Sequence, residues 1–99
     1  MNKPQAGIEG FPADLHPATA RLVRDFAQAL AAKLMKAQTK YGYTNGWLTQ
    51  DWETECRQSL QSHIEKGDPL DVAAYAAFCW HHGWSTAEPN VAQLTSGDG

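Results

Sequence analysis

Apolar residues recur at three- and four-residue intervals through the middle of the chain, a spacing that places them on one face of a helix. In the first such stretch they are Leu22, Phe26, Leu30 and Leu34. Pro17 suits the first position of a helix, because the N–H that it lacks would have no partner there. Gly42 readily adopts the left-handed conformation that ends a helix. The pattern therefore predicts a first helix over residues 17–41.

Two shorter helices are predicted after it, joined by a Gly-Asp-Pro turn. The second helix is expected over residues 49–66, with Thr49 as its N-terminal cap. Its apolar face consists of Trp52, Cys56, Leu60 and Ile64. The third helix is expected over residues 69–82, with Asp68 as its cap and Pro69 in its first position. Because no stretch alternates with period two for long, we predict an all-α fold, a small bundle of three main helices.

The third helix is apolar on nearly all sides, since the segment from Val72 to Trp80 reads VAAYAAFCW. A helix of a three-helix bundle leaves about one face in water, so this composition predicts a further surface that covers it. We therefore expect a homo-oligomer, a dimer or higher assembly, in which the alanines permit close approach of helices.

The length of 99 residues suits one domain. We divide it into a flexible N-terminal arm (1–14), a helical domain (15–86) and a flexible C-terminal tail (87–99), because both ends are polar or rich in Gly and Pro. No apolar run is long enough to span a bilayer and no secretory signal is visible, so we expect a cytoplasmic protein with no membrane partner. Cys56 and Cys79 are expected to be reduced and buried.

Charge is segregated along the chain, although the net charge is only −3. Between residues 15 and 50 lie five basic residues and one acid, whereas acids dominate from Asp51 to Asp71. The net charge argues against a nucleic acid as the main partner, because phosphate neutralisation requires a cationic surface. A basic helix beside an acidic joint favours a small phosphate-bearing ligand with a divalent metal. It is equally compatible with two helices that pair by charge.

Several of these residues also have an ordinary structural explanation. Asp68 and Asp71 suit the start of a helix as capping residues, and His63 in the middle of an apolar face is typical of a packed core histidine. Glu53 precedes Asp68 by about 20 Å of helix, so a partner subunit or a bend would have to bring the two together. Tyr43 and Trp47 either close the end of the bundle or stack on a nucleobase.

The segment from about Phe26 to Thr86 resembles a known family over three-fifths of the chain. The similar stretches are KYGYTNGW from Lys40, WETEC from Trp52 and HIEKGDPLDVAAYAAFCWHHGWST from His63. They resemble small phage- and prophage-encoded proteins of the all-α nucleoside triphosphate pyrophosphohydrolases, the MazG-like and dATP/dGTP pyrophosphohydrolase-like group.

The resemblance implies an obligately oligomeric helical enzyme that cleaves a nucleotide between its α- and β-phosphates with Mg²⁺ held by carboxylates of two helices. The family's first motif is ExxE, and here Glu53 is followed by Cys56 and Glu55 by Gln58, so the second glutamate is absent. The second motif, ExxD, is matched in letters by Glu65 to Asp68. The sequence Asp68 to Asp71 better matches its position at the start of a helix.

We therefore hypothesise a Mg-dependent (or Mn-dependent) nucleoside triphosphate pyrophosphohydrolase of phage type, active in the bacterial host cell. Glu53 and Glu55 are the expected catalytic residues. The expected metal ligands are Glu53, Glu55, Asp68 and Asp71. The expected nucleotide-binding residues are Lys33, Lys40, Tyr43, Trp47 and His63. The alternative, favoured by the incomplete ExxE motif, is a non-catalytic phage anti-defence protein that sequesters a nucleotide signal or inhibits a host defence protein. A third possibility is a helical assembly factor.

Overall fold

The structure is a computed structural model that describes residues 10–87, and it contains three helices: α1 (Pro17–Tyr41), α2 (Glu53–Lys66) and α3 (Pro69–His82). A single 3₁₀ turn, Gly46–Leu48, lies between α1 and α2. Within residues 10–87 there is no strand. The all-α prediction is therefore confirmed. Residues 1–9 of the predicted arm and 88–99 of the predicted tail lie outside the described part of the chain.

Both ends of α1 form as the sequence predicts. Pro17 occupies the first turn, and the imidazole Nδ1 of His16 accepts a hydrogen bond of 3.0 Å from the backbone N–H of Ala18. At the other end Gly42 adopts a left-handed conformation with φ of 75° and donates its N–H to the carbonyl of Gln38. These contacts satisfy backbone groups that a helix end otherwise leaves without partners.

The second helix begins at Glu53, later than expected, and the predicted capping role of Thr49 is wrong. The hydroxyl of Thr49 donates instead to the carbonyl of Gly46 at 3.0 Å, which closes the 3₁₀ turn. The indole Nε1 of Trp52 donates to the carbonyl of Trp47 at 3.2 Å. These two local hydrogen bonds hold residues 49–52 in an irregular segment, because the Thr49 side chain bonds back to the turn instead of capping a helix.

Helices α2 and α3 run antiparallel and are joined at Gly67 and Asp68. Gly67 has φ of 76°, and its N–H and that of Asp68 donate to the carbonyls of Ile64 and His63. This arrangement is the Schellman type of helix end, which reverses the chain within two residues. The turn therefore brings the last part of α2 beside the first part of α3.

The interior between α2 and α3 is centred on the two cysteines. Cys56 and Cys79 are almost completely buried, with their Sγ atoms 3.7 Å apart, and both are free thiols as predicted. Burial, and then the neighbouring Cys79, raises the pKa of the Cys56 thiol to about 12. Leu60 and Ala74 complete this part of the core. The thiols therefore act as small apolar side chains here.

A large apolar surface stays exposed in the single chain. The side chain of Trp80 on α3 is 83% exposed. The other large exposed apolar residues are Leu22, Val23, Phe26, Leu34, Met35, Tyr41, Tyr43, Leu48 and Ile64. In α1 the single buried residue is Ala20. No helix in residues 10–87 combines the length and the apolar character that crossing a membrane requires.

Candidate cation and phosphate site

One titratable side chain from each of the three helices, together with Asp68 at the turn, meets at the joint between α2 and α3. Lys33 of α1 places its Nζ atom 3.3 Å from Oδ2 of Asp71 on α3. His63 of α2 places its Nδ1 atom 3.6 Å from the same oxygen and 3.9 Å from Oδ2 of Asp68. We call these four residues the joint cluster. The joint cluster carries two carboxylates, one imidazole and one ammonium group.

The helix ends position the two aspartates. Asp68 occupies the cap position of α3 as predicted, but its side chain makes no capping hydrogen bond. Its carboxylate faces His63 instead. Asp71 lies in the first turn of α3, where a negative charge interacts favourably with the helix dipole. Capping therefore explains why an aspartate is at position 68. It does not explain the direction of the side chain, which points to His63.

The imidazole of His63 is held in a fixed orientation by the ring of Tyr75. The two rings stack with centroids 5.4 Å apart and planes at 17°. The Nδ1 atom of His63 is inaccessible to solvent and has no hydrogen-bond partner among the described residues. Buried polar atoms in proteins are nearly always paired. This nitrogen is therefore the main unsatisfied group of the joint cluster.

The charges in the joint cluster affect one another. The pKa of the Asp68 carboxyl is held below its usual range, in the first place by hydrogen bonding with the neighbouring Asp71, against the effect of desolvation, and further by the positive charges of Lys33 and His63. Burial raises the pKa of the Tyr75 hydroxyl, and the negative charge of Asp71 adds to the effect. The Asp68 carboxyl is thus anionic at neutral pH, and the Tyr75 hydroxyl is neutral.

The joint cluster has the composition of a cation site. His63, Asp68 and Asp71 each offer one ligand atom, and these atoms lie within 4.8 Å of one another. No other group of three or more such residues converges in this way in the described part of the chain. Two carboxylate oxygens and one imidazole nitrogen fit a divalent ion that keeps further positions for water or phosphate oxygens.

The two glutamates expected in the metal site lie elsewhere in the chain. Glu53 and Glu55 are in the first turn of α2, whereas His63, the member of the joint cluster on the same helix, lies about 12–15 Å further along it and Asp68 follows its end. The carboxylate of Glu53 accepts a hydrogen bond of 2.6 Å from Arg57, and Glu55 is exposed. A single chain therefore does not bring Glu53 and Glu55 together with Asp68 and Asp71.

Of the expected nucleotide-binding residues, Lys33 and His63 belong to the joint cluster and the other three do not. Lys40 lies over the ring of Tyr41, with Nζ 5.1 Å from its centroid, and Tyr43 stacks on the same ring at 5.2 Å. Trp47 stacks on Phe78 at 5.6 Å and meets the edge of His81. Trp47 is thus a packing residue, as in the bundle-closing explanation, whereas Tyr43 is exposed.

Aromatic side chains form a continuous row along α3, which the sequence did not reveal as a unit. Tyr75 stacks on His63 and meets the edge of Phe78 at 5.7 Å, and Phe78 contacts both Trp47 and Trp52. The spacing of Tyr75 and Phe78, three residues apart, is the one signal that places them on one face. The row links the joint cluster to the 3₁₀ turn at the opposite end of α3.

Comparison with known proteins gives no matching family model, no matching curated protein and no matching solved structure.

Proposed function

We propose that this chain binds the phosphates of a nucleotide together with a divalent cation at the joint cluster, and that it hydrolyses the nucleotide as a pyrophosphohydrolase. The observation that carries the proposal is the convergence of Lys33 with His63, Asp68 and Asp71 from three separate helices. Cation ligands beside an ammonium group are what a cation-phosphate complex requires. The sequence resemblance to all-α nucleoside triphosphate pyrophosphohydrolases of phages supports the same chemistry, with the bacterial cytoplasm as the place of action.

In this function Asp68 and Asp71 hold the cation, and Lys33 interacts with a phosphate oxygen. When bound, a divalent cation neutralises phosphate charge and lowers the pKa of a coordinated water. Lys33 is already beside Asp71, so its ammonium group needs only a small movement to reach a ligand at the cluster. Tyr43, which is exposed, remains available for stacking on a base, whereas Trp47 is occupied by Phe78.

A homo-oligomer is part of the proposal. The exposed apolar residues of α1 and Trp80 of α3 offer the surface for it. Hydrolysis with the full set of expected carboxylates requires that a second subunit place its Glu53 and Glu55 near the joint cluster. We expect Trp80→Ser to lower the number of subunits per particle measured by sedimentation velocity. Gln61→Ser, which changes an exposed polar residue, is the control and should leave that number unchanged.

A second candidate is a non-catalytic protein that sequesters a nucleotide signal or binds a host defence protein. One specific observation favours it: Glu53, one of the two expected catalytic residues, forms an ion pair of 2.6 Å with Arg57 within its own helix. Glu53 is thus paired within its own helix, and the ExxE motif lacks its second glutamate. The only carboxylates of the joint cluster are therefore those of Asp68 and Asp71.

The test is incubation of the full chain with each nucleoside and deoxynucleoside triphosphate and Mg²⁺ or Mn²⁺, followed by measurement of pyrophosphate. We expect pyrophosphate release by the parent protein and none by Asp71→Asn. Asp51→Asn changes an exposed acid outside the joint cluster and should release pyrophosphate like the parent. Calorimetry on the same samples separates the candidates. Nucleotide binding without turnover supports sequestration, and a stable complex with a host protein without nucleotide binding supports inhibition. Absence of both turnover and nucleotide binding refutes the first proposal.

A further inference from the structure

The distances around His63 match ligands of one ion better than they match hydrogen bonds. Its Nδ1 atom lies 3.6 Å from Oδ2 of Asp71 and 3.9 Å from Oδ2 of Asp68. Hydrogen bonds of this kind are shorter, about 2.7–3.2 Å. Two ligands at ~2.0–2.2 Å from one metal ion are separated by up to about 4.3 Å. Both separations therefore fall in the interval that a shared ion explains.

Neither a neutral nor a protonated imidazole gives this nitrogen a hydrogen bond among residues 10–87, although a protonated ring would attract the two carboxylates at 3.6 and 3.9 Å. If Nδ1 carries a proton, that proton is buried and has no acceptor within hydrogen-bond distance among the described residues. If it does not, its lone pair faces two carboxylate oxygens, and the arrangement is repulsive. A cation between the three atoms removes both difficulties, because it accepts the lone pair and attracts both carboxylates. The ring of Tyr75 holds the imidazole in this orientation.

The donor set favours a particular class of ion. Mg²⁺ prefers oxygen ligands, whereas imidazole nitrogen suits Zn²⁺, Co²⁺, Ni²⁺ and related ions of the first transition row. We infer that the joint cluster binds a first-row transition-metal ion through His63 Nδ1, Asp68 and Asp71, in preference to Mg²⁺. This assigns His63 to the metal rather than to the nucleotide. The inference rests on the site of the proposed function but does not depend on hydrolysis.

Lys33 has a defined part in this site. Its ammonium group lies 3.3 Å from Oδ2 of Asp71, the oxygen that also faces His63. A divalent ion bound to that oxygen repels the ammonium group and competes with it for the carboxylate. Lys33 thus supplies the positive charge beside Asp71 in the metal-free protein. Metal binding displaces its ammonium group toward solvent, where it can bind an anionic ligand. Removal of its charge is therefore expected to strengthen metal binding.

The experiment uses the full chain without an affinity tag, freed of metal with a chelator and titrated with Co²⁺, Mn²⁺ and Mg²⁺. Co²⁺ binding is followed by its visible absorption, which reports the number and geometry of the ligands, and all three ions are followed by calorimetry. We expect Co²⁺ and Mn²⁺ to bind more tightly than Mg²⁺. His63→Gln is expected to weaken Co²⁺ binding by about 10-fold or more, whereas His81→Gln, a change of an exposed histidine on α3, does not alter it.

The Co²⁺ affinity of the Lys33→Met variant distinguishes a metal site from an ordinary ion-pair network. We expect it to tighten Co²⁺ binding by about 1.5- to 5-fold, the scale of a partly exposed ion pair. Circular dichroism of each variant confirms that it is folded. Absence of Co²⁺ binding, or binding that His63→Gln leaves unchanged, overturns the inference, as does tighter binding of Mg²⁺ than of Co²⁺.

The two proposals fail in different ways. Turnover of a nucleotide with Mg²⁺ and no effect of His63→Gln on metal binding would refute the transition-metal site and keep the proposed function. Co²⁺ binding that depends on His63, without nucleotide binding, would keep the transition-metal site and refute the proposed function.

Discussion

The imidazole Nε2 of His82 lies 2.6 Å from the carbonyl oxygen of Trp47, 35 residues earlier in the chain. A carbonyl oxygen only accepts, so His82 is the donor and its proton is on Nε2. The same carbonyl also accepts from Trp52 at 3.2 Å. One oxygen therefore ties the 3₁₀ turn both to the end of α3 and to the start of α2.

The first prediction concerns this hydrogen bond. His82→Ala is expected to lower the free energy of unfolding by about 1–2 kcal/mol, because it removes the donor and also the ring that stacks on Trp84 at 4.1 Å. His82→Gln keeps an amide donor and is expected to lose less. Urea unfolding followed by circular dichroism measures both values. Equal losses in the two variants would show that the hydrogen bond contributes nothing.

The second prediction concerns alkaline pH. The pKa of Cys56 is about 12 in the folded protein and 9.0 as its ordinary value, so the unfolded chain loses this proton first as the pH rises. The contribution to stability is complete below pH 9 and is lost progressively between pH 9 and 12. The raised pKa of Tyr75 acts in the same direction.

Thermal unfolding of the full chain, recorded from neutral pH upward, measures this effect. Cys56→Ala is expected to be less stable at neutral pH by about 1 kcal/mol, since it removes a buried atom. Its stability should fall less steeply than that of the parent above pH 9, the ordinary value for a thiol. Parallel curves for the two proteins would mean that Cys56 does not titrate in this interval.

The third prediction concerns the turn that forms the joint cluster. Gly67 has φ of 76°, and a Cβ atom built on it meets nothing within 4 Å, so substitution costs backbone strain alone. Gly67→Ala is expected to destabilise the protein by about 1–2 kcal/mol. Gly46 is equally open but is not among the glycines with positive φ. Gly46→Ala in the same denaturation assay should therefore change stability by less than about 0.5 kcal/mol.

The fourth prediction concerns Glu53. Arg57 is largely buried and donates to Glu53 at 2.6 Å and to the carbonyl of Ser85 at 3.4 Å. Glu53→Gln is expected to lower the free energy of unfolding by about 1 kcal/mol, because a partly buried guanidinium loses its counter-charge. Glu55 is exposed, so Glu55→Gln should be neutral. If both substitutions were neutral in chemical denaturation, Glu53 would have no structural role.

Much of the fold follows from local features of the sequence. Pro17, Gly42 and Gly67 mark helix boundaries correctly, because proline and left-handed glycine act through the backbone itself. The predicted start of α2 is too early, because Thr49 satisfies the requirements of a cap and nothing in the local sequence shows that the carbonyl of Trp47 is also held by His82, 35 residues away.

The site was predictable only in part. The sequence identified Lys33, His63, Asp68 and Asp71 as candidates, each for a separate reason, but the grouping of Lys33 with Asp71 depends on how α1 crosses α3. Helix crossing is set by side-chain packing rather than by periodicity. The assignment of Glu53 to the same ion followed from resemblance, and the length of α2 places that residue at the opposite end.

The interior of the described chain is small. Its buried apolar residues are Ala20, Cys56, Leu60, Ala74 and Cys79. Alanine and cysteine remove little area from water, and the apolar area buried is the main source of folding free energy. If a second subunit covers Trp80 and the exposed apolar residues of α1, such as Leu22 and Phe26, folding and association become one equilibrium. Dilution then unfolds the protein, because it separates the subunits. The melting temperature is accordingly expected to rise with protein concentration.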